Sequence, residues 1–131
     1  MSTGIDPSGR RVALAIAAGR VALGIGSLAA TEQTLTLLGF DPNDAGGRTL
    51  AKMFGGRDLA FGLVTLAAQD KPAVLGQITF AGAALDAADS LSSLLAARDP
   101  DARPGTFGSA ASGAAAALAG VWAWRRLNGD S

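Results

Sequence analysis

Adjacent Arg57 and Asp58 interrupt an otherwise apolar segment, and this pair constrains the fold more than any other feature of the chain. The segment reads LAKMFGGRDLAFGLVTLAAQ. Burying charges in apolar surroundings is costly unless charges of opposite sign compensate them. Two other apolar segments supply such charges: Arg20 lies in the first, and Asp86 and Asp89 lie in the third. We therefore expect these five side chains to meet inside a helical bundle.

Four apolar segments are long enough to cross a bilayer as helices. At a rise of 1.5 Å per residue, about 20 residues cover a hydrocarbon core of about 30 Å. Connections rich in Pro, Gly and Asp separate the segments, as is typical of turns. We predict an all-α fold, a four-helix transmembrane bundle with antiparallel up-down topology, because short connections make sequential helices antiparallel. The predicted spans cover residues 12–30, 49–69, 73–97 and 105–124.

The chain is short enough to be a single domain. Its 131 residues leave no room for two independent cores. We assign residues 1–9 to a polar N-terminal tail, 10–127 to the membrane domain and 128–131 to a C-terminal tail. The apolar run 35–40 predicts a short interfacial helix between the first two spans, and Gly39 would end it.

The composition argues against several classes of function. The chain has no Cys and no His, so disulfides, thiol chemistry and the usual zinc sites are absent, and we expect neither a cofactor nor a metal. Its formal net charge is zero, which argues against nucleic acid as a partner. There is no Tyr. Any acid–base chemistry would therefore have to come from Asp, Glu, Lys or Arg.

Each span carries one stripe of small or polar residues at three- and four-residue spacing, which places them on a single helix face. Membrane helices use small residues at their interfaces because lipid gives no gain from burying Leu between helices. We therefore expect these stripes, and the charges on them, to face the interior. They comprise Ala13, Ala17, Arg20, Gly24 and Ser27; Ala51, Gly55, Asp58, Gly62, Thr65 and Gln69; Thr79, Gly82, Asp86, Asp89 and Ser93; and Gly105, Ser109, Gly113, Ala116 and Gly120.

The five interior charges do not balance. Each would cost about 2.5 to 3.5 kcal/mol or more if it were unpaired in a bilayer, and two Arg against three Asp leave one negative charge in excess. One Asp is therefore a candidate to hold a proton, and we expect Asp86 and Asp89, three apart, to be a coupled pair. Arg57 lies about 100° round the helix from Asp58, so it could reach a neighbouring helix or a partner chain. The cluster either fixes helix register or carries a function.

The basic residues at the two sides of the predicted bundle differ in number. Five lie on the side of both termini and three on the other, which favours cytoplasmic termini in a bacterial inner membrane. They are Arg10, Arg11, Lys71, Arg125 and Arg126 against Arg48, Arg98 and Arg103. An alternative interpretation of the first span is a signal peptide, which Arg20 argues against because it interrupts the apolar region.

Three short motifs lie in the first three spans: GR at 19–20, MFGGRD at 53–58 and DAAD at 86–89. Together they resemble the motifs of the small DoxX-like membrane proteins. The pattern looks like an uncharacterised four-helix branch common in actinobacteria, and the resemblance extends from residue 11 to residue 126. Membership would imply an integral membrane four-helix bundle and no settled activity.

Three classes of function fit these features. The chain could be a structural or accessory membrane protein. It could be an enzyme of the epoxide hydrolase, cyclase or isomerase type, with Asp58, Asp86, Asp89, Arg57 and Arg20 as candidate acid–base and charge-positioning residues. It could also be a proton-coupled transporter. The expected partners are the lipid bilayer, a lipophilic small molecule and a second copy of the chain, because small-residue faces serve a homo-oligomer as readily as a monomer.

Overall fold

The computed structural model describes residues 6–129, and every regular element in that range is an α-helix. The helices are α1 (Pro7–Ala29), α2 (Thr31–Leu37), α3 (Ala45–Ala67), α4 (Pro72–Ala96) and α5 (Pro104–Leu127). The all-α prediction is confirmed. The four long helices coincide with the predicted spans, and their ends differ from the predicted ends by one to five residues.

Helix α1 begins at Pro7, five residues before the predicted span and inside the segment 1–9 that we assigned to a polar tail. Asp6 is its N-cap and accepts hydrogen bonds from the amides of Ser8 at 2.7 Å and Gly9 at 3.0 Å. Pro7 occupies the first turn, where its missing N–H costs nothing. The Gly9 hydrogen bond first, and then those from Ser8, lower the pKa of Asp6. The remaining tail predictions, for 1–5 and 130–131, lie outside the described residues.

The predicted short helix between the first two long helices is α2, and Gly39 ends it as expected. Gly39 has a φ of +84°, a left-handed conformation that glycine adopts without steric cost. Its N–H bonds to the carbonyl of Thr36 at 3.1 Å, and the N–H of Phe40 bonds to the carbonyl of Leu35 at 2.9 Å. This pair of bonds is the Schellman motif that closes many helices.

Helices α1 and α3 pack closely and in opposite directions. A Cβ added to Gly24 would lie 2.7 Å from the carbonyl oxygen of Gly55. Further along, one added to Gly62 would lie 2.7 Å from the carbonyl oxygen of Ala17. Real Cβ contacts are essentially never so short. These glycines therefore set the distance between the two helices.

Helix α5 packs against α4 and, at its C-terminal end, against α1. A Cβ on Gly120 would lie 2.9 Å from that of Ala83. Nearer the start of α5, the Ser90 hydroxyl donates a hydrogen bond of 2.7 Å to the carbonyl of Ala110. The contacting residues run in opposite order along the two helices. The helices therefore follow the order α3, α1, α5, α4 around the bundle.

Helices α3 and α4 scarcely touch, although a connection of only four residues joins them. We call the gap between them the α3–α4 opening, defined by Arg57 and Phe61 on α3 and by Gly82 and Asp89 on α4. Phe61 partly fills it, because a Cβ on Gly82 would lie 3.6 Å from the Phe61 ring. Side chains, rather than closely packed backbones, connect this pair of helices.

Large apolar side chains lie mostly on the outside of the bundle. Leu37 is 86% exposed, Leu118 73% and Met53 66%, whereas Leu75 is the largest side chain that is fully buried. The small apolar core consists of Ala13, Leu75 and Ala123. This distribution is the reverse of that in a soluble domain, where Leu, Ile and Phe are buried.

Small and charged residues occupy the interior instead. All five residues of the stripe predicted for α1 are buried. On α3 the buried residues are Gly55, Asp58, Gly62 and Thr65. The stripe prediction is wrong for Gln69, which follows α3 and is exposed, and Ala51 is only half-buried. It is also less accurate on α4, where Asp89 is half-buried, and on α5, where the middle of the stripe is half-buried.

One of the described helices, α1, is long and apolar enough to cross a membrane by length and composition alone. Charges inside α3 and α4, and the many Ala, Gly and Ser residues of α4 and α5, lower the hydropathy of the other long helices. Composition therefore supports one of the four predicted spans directly. Core helices of soluble proteins can meet the same criterion, but they are mostly buried, whereas only 22% of the apolar window of α1 is buried.

Candidate functional site

The Arg20 guanidinium lies inside the bundle and connects three helices. Its Nη1 donates to Asp58 Oδ1 on α3 at 3.2 Å, and its Nη2 donates to Asp86 Oδ2 on α4 at 2.6 Å. Nη2 also donates to the carbonyl oxygen of Gly82 at 3.2 Å. All three charged residues are buried. Gly82 leaves space for this approach, since a Cβ there would lie 3.3 Å from Nη2.

Arg57 forms the second half of the cluster and bridges the α3–α4 opening. Its Nη1 and Nη2 donate to Asp89 Oδ1 and Oδ2 at 3.3 and 2.6 Å, a two-point arrangement that is among the stronger ion pairs. Nη2 also donates to Asp58 Oδ1 at 3.3 Å. The side chain of Arg57 is 29% exposed and that of Asp89 is 39% exposed. This pair therefore lies at the edge of the bundle, whereas the pairs of Arg20 lie in its interior.

The five charges form one chain of alternating sign: Asp86, Arg20, Asp58, Arg57 and Asp89. The expectation that they meet is confirmed as salt bridges, and their catalytic roles remain predictions. Asp58 is central because its Oδ1 accepts from both arginines. Asp86 and Asp89 bond to different arginines, and their expected coupling in protonation stays a prediction. We call these five residues the charge cluster.

Two phenylalanines that were not among the predicted site residues flank the charge cluster. The Arg20 guanidinium carbon lies 5.7 Å from the centre of the Phe61 ring, and that of Arg57 lies 5.0 Å from the centre of the Phe54 ring. Both distances are within the range of cation–π attraction. Their spacing was a usable signal, because residues three and four positions from Arg57 share its side of the helix.

One polar atom of the cluster, Arg57 Nε, is buried without a hydrogen-bond partner. Leaving such a donor unpaired costs roughly 1 to 3 kcal/mol. The two-point bond to Asp89 uses the other two nitrogens of the guanidinium. The guanidinium of Arg57 is therefore oriented so that Nη1 and Nη2 bond to Asp89 while Nε has no partner.

A small cavity lined by residues of all four long helices reaches the charge cluster. Its volume is about 20 Å³, and its lining includes Arg20, Asp86, Phe61, Thr79 and Gly120. A cavity needs roughly 10 to 15 Å³ of this kind of space to hold one water molecule. The cavity therefore has room for one water beside Arg20 and Asp86, and a lipophilic substrate would not fit in it.

Polar contacts join the start of α1 to two other parts of the chain. Arg10 Nη2 lies 3.2 Å from Asp70 Oδ1, and Arg126 Nη1 lies 3.8 Å from Asp6 Oδ2. These contacts place the start of α1, the connection between α3 and α4, and the end of α5 at one end of the bundle. Ion pairs this exposed contribute at most about 1 kcal/mol each, so they indicate placement more than stability.

Comparisons with protein-family models, with curated proteins and with solved structures find no match to this chain. Within residues 6–129, no group of three or more Asp, Glu, His or Cys is arranged to hold a metal ion. The carboxylates of the charge cluster alternate with guanidinium groups, which already satisfy them. The geometry of the cluster is therefore the basis for any statement about function.

Proposed function

We propose that this chain is a small integral membrane protein, an antiparallel four-helix bundle of the DoxX-like kind whose charge cluster joins its helices from within. The observation that carries the proposal is the reversed burial pattern. Arg20, Asp58 and Asp86 are inside while Leu37, Met53 and Leu118 are outside. In water this arrangement would expose apolar surface and bury charge, both of which are unfavourable.

A lipid environment reverses both of these costs. Exposed Leu and Phe side chains then contact acyl chains, while charges inside the bundle compensate one another away from the lipid. Small residues at the helix contacts, such as Gly24 against Gly55, are also typical of membrane helices. The burial pattern and the helix packing thus support the same environment.

The position of Arg20 supports α1 as a permanent span rather than a cleaved signal peptide. Cleavage after α1 would remove Arg20 and leave Asp86 without its ion-pair partner. It would also remove the helix that packs along α3. The remaining chain would then hold three carboxylates and one arginine at this place.

We propose that the charge cluster has a structural role, in which it fixes the relative positions of α1, α3 and α4. The α3–α4 opening lacks close backbone packing, and the Arg57–Asp89 pair and the Arg20 bonds cross it. In this role the chain is a scaffold or accessory protein in the membrane. The cavity of about 20 Å³ gives no support to an enzyme or a transporter that encloses a lipophilic molecule beside the carboxylates.

We place both termini in the cytoplasm of a bacterial cell. The end of the bundle that holds the start of α1 and the end of α5 also carries Arg10, Arg11, Lys71, Arg125 and Arg126. An excess of Lys and Arg marks the cytoplasmic side of membrane proteins.

The membrane assignment is tested by fractionation and by cysteine labelling. We expect the tagged chain to remain with the membranes after an alkaline carbonate wash, and its recovery in the soluble fraction would refute the proposal. Because the chain has no Cys, single-cysteine variants report the orientation. A membrane-impermeant maleimide should label Asp101→Cys in intact cells and Gly129→Cys only after lysis.

The structural role is tested by mass spectrometry of molecules that co-purify in mild detergent. We expect bulk lipid only, in the same amounts for the wild type, Arg57→Ala and Asp86→Asn, while both variants melt at lower temperature. A stoichiometric lipophilic molecule that is lost in the variants would overturn the structural role and favour an enzyme or a carrier.

A further inference from the structure

The Arg57–Asp89 pair lies where a membrane would leave it exposed to lipid. Arg57 is ten residues from the end of α3 and Asp89 is seven from the end of α4. At 1.5 Å per residue these positions are about 15 and 10 Å inside the helix ends. Both side chains are about one-third exposed, and an exposed ion pair at such depth is unfavourable in acyl chains. Some polar surface therefore has to cover the α3–α4 opening.

We propose that a second copy of this chain covers the α3–α4 opening and forms a two-fold symmetric dimer. The proposal rests on the membrane assignment given above. Arg57 and Asp89 lie side by side on two antiparallel helices. Rotation by 180° about an axis parallel to the helices preserves depth and exchanges left and right. Each Arg57 then faces Asp89 of the other copy, so the surface is complementary to itself, as a two-fold interface requires.

Small residues beside the pair permit close approach of the second copy. On α3, Gly56 and Ala60 flank Arg57, and an added Cβ on Gly56 meets no atom within 4 Å. A glycine in a helix interior costs about 1 kcal/mol relative to alanine, and Gly56 gains no packing inside the chain. On α4, Ala88 is exposed beside Asp89. Small residues four apart are typical of contacts between membrane helices.

Charge makes a second copy a better occupant than a lipophilic molecule. A neutral ligand would cover the ion pair without compensating it, whereas a second pair in reversed order adds attraction between unlike charges in a medium of low dielectric constant. The four charges at the interface sum to zero. The Phe54 ring beside Arg57 is 47% exposed and supplies apolar contact at the same place.

The dimer is tested by cross-linking in native membranes, for which the absence of Cys provides a clean background. Two differently tagged copies carrying Ala60→Cys and Ala88→Cys should cross-link with a short bismaleimide. Ala114→Cys is the matched control, because it is exposed on α5 near the level at which Gly113 contacts Asp86. We expect the cross-linking yield of Ala114→Cys to be at least tenfold lower than that of the Ala60→Cys and Ala88→Cys pair. Equal yields, or no product from the first pair, would overturn the dimer.

The role of charge is tested with the exchanged variant Arg57→Asp/Asp89→Arg. Mixed with wild-type copies, it would place like charges opposite each other, so cross-linking should fall at least threefold relative to wild-type pairs. An unchanged yield would refute charge pairing across the interface. If the exchanged chain does not accumulate in membranes, the uncharged variant Arg57→Met/Asp89→Leu replaces it, and the same loss is expected.

The outcomes separate this inference from the membrane assignment. Recovery of the chain in the soluble fraction refutes the membrane assignment. Retention in membranes without cross-linking refutes the dimer alone. A monomer that carries a stoichiometric lipophilic molecule would identify that molecule as the occupant and would also overturn the dimer.

Discussion

Replacing Arg20 by Met is the most direct test of the charge cluster. The substitution removes two ion pairs, to Asp58 and Asp86, and one hydrogen bond, to the carbonyl of Gly82. The two carboxylates are affected differently. Asp58 keeps its bond to Arg57 at 3.3 Å. Asp86 loses the only arginine to which it is bonded among the described residues.

The expected cost follows from this difference. Removing one partner of a buried ion pair destabilises a protein by about 3 to 5 kcal/mol, because the remaining charge is buried without compensation. Only Asp86 is left in that state, so we expect one such loss, about 4 kcal/mol, rather than two. The double variant Arg20→Met/Asp86→Leu removes the stranded charge. Since replacing a whole buried pair by apolar residues is often neutral, we expect most of the loss to be recovered.

The measurement is reversible unfolding in detergent micelles, followed by circular dichroism as sodium dodecyl sulfate is added. The wild type, Arg20→Met, Asp86→Leu and the double variant form a cycle from which the coupling between the two residues is obtained. A single-variant loss below about 1 kcal/mol would show that the buried pair is worth no more than an exposed one. A double variant less stable than the single variant would refute the mutual compensation of Arg20 and Asp86.

Three further predictions concern packing and capping. Gly55→Ala should destabilise the bundle by about 1 to 3 kcal/mol through overpacking, since its Cβ would lie 2.5 Å from that of Ser27. Within a single copy Gly56→Ala should be neutral or stabilising, because an added Cβ meets no atom within 4 Å. Thermal melting of both variants as monomers in detergent checks this, and equal effects would contradict it. Leu75→Ala should lower the free energy of unfolding by about 2 to 5 kcal/mol. Leu91 is exposed, so Leu91→Ala should lower it by less than about 0.5 kcal/mol in the same assay. The pKa of Asp6 is lowered, chiefly by the Gly9 hydrogen bond. Its cap therefore stabilises α1 at pH values above the ordinary Asp value of about 3.9, and this stabilisation is lost as the pH falls through the lowered value. There the protection of the first amides of α1 against hydrogen exchange, relative to their intrinsic rates, should fall in the wild type and not in Asp6→Asn.

Helix faces could be predicted from the sequence because they depend on local spacing alone. The stripe from Ala13 to Ser27 needed only the period of an α-helix, and all of it is buried. The salt bridges could also be predicted, because unlike charges in apolar segments have few alternatives to pairing. The end of α2 at Gly39 followed from glycine's tolerance of positive φ.

The choice of partner within the cluster could not be predicted. Asp86 and Asp89 are separated by less than one helical turn, so small rotations of α4 decide which arginine each one meets. That rotation depends on the packing of α4 against α5, where Ser90 bonds to Ala110. The α3–α4 opening was also not predicted. A short connection makes two helices antiparallel, but it does not determine how closely they pack.

The start of α1 was missed even though a local signal was present. Asp6 followed by Pro7 is a typical beginning for a helix, with a side-chain cap and a proline in the first turn. Hydropathy alone places the start of the predicted span at residue 12. Hydropathy describes which residues prefer lipid, whereas a helix can continue beyond that region.

The order of the charges along the chain also has a consequence for biosynthesis. Arg20 is made 38 residues before Asp58 and 66 before Asp86. At about 5 to 20 residues per second, its two carboxylate partners follow after roughly 2 to 8 and 3 to 13 seconds. During this interval the nascent first helix carries a cation whose two carboxylate partners have not both been synthesised. The Arg20–Asp86 ion pair, and with it the complete charge cluster, can therefore form only after α4 has been made.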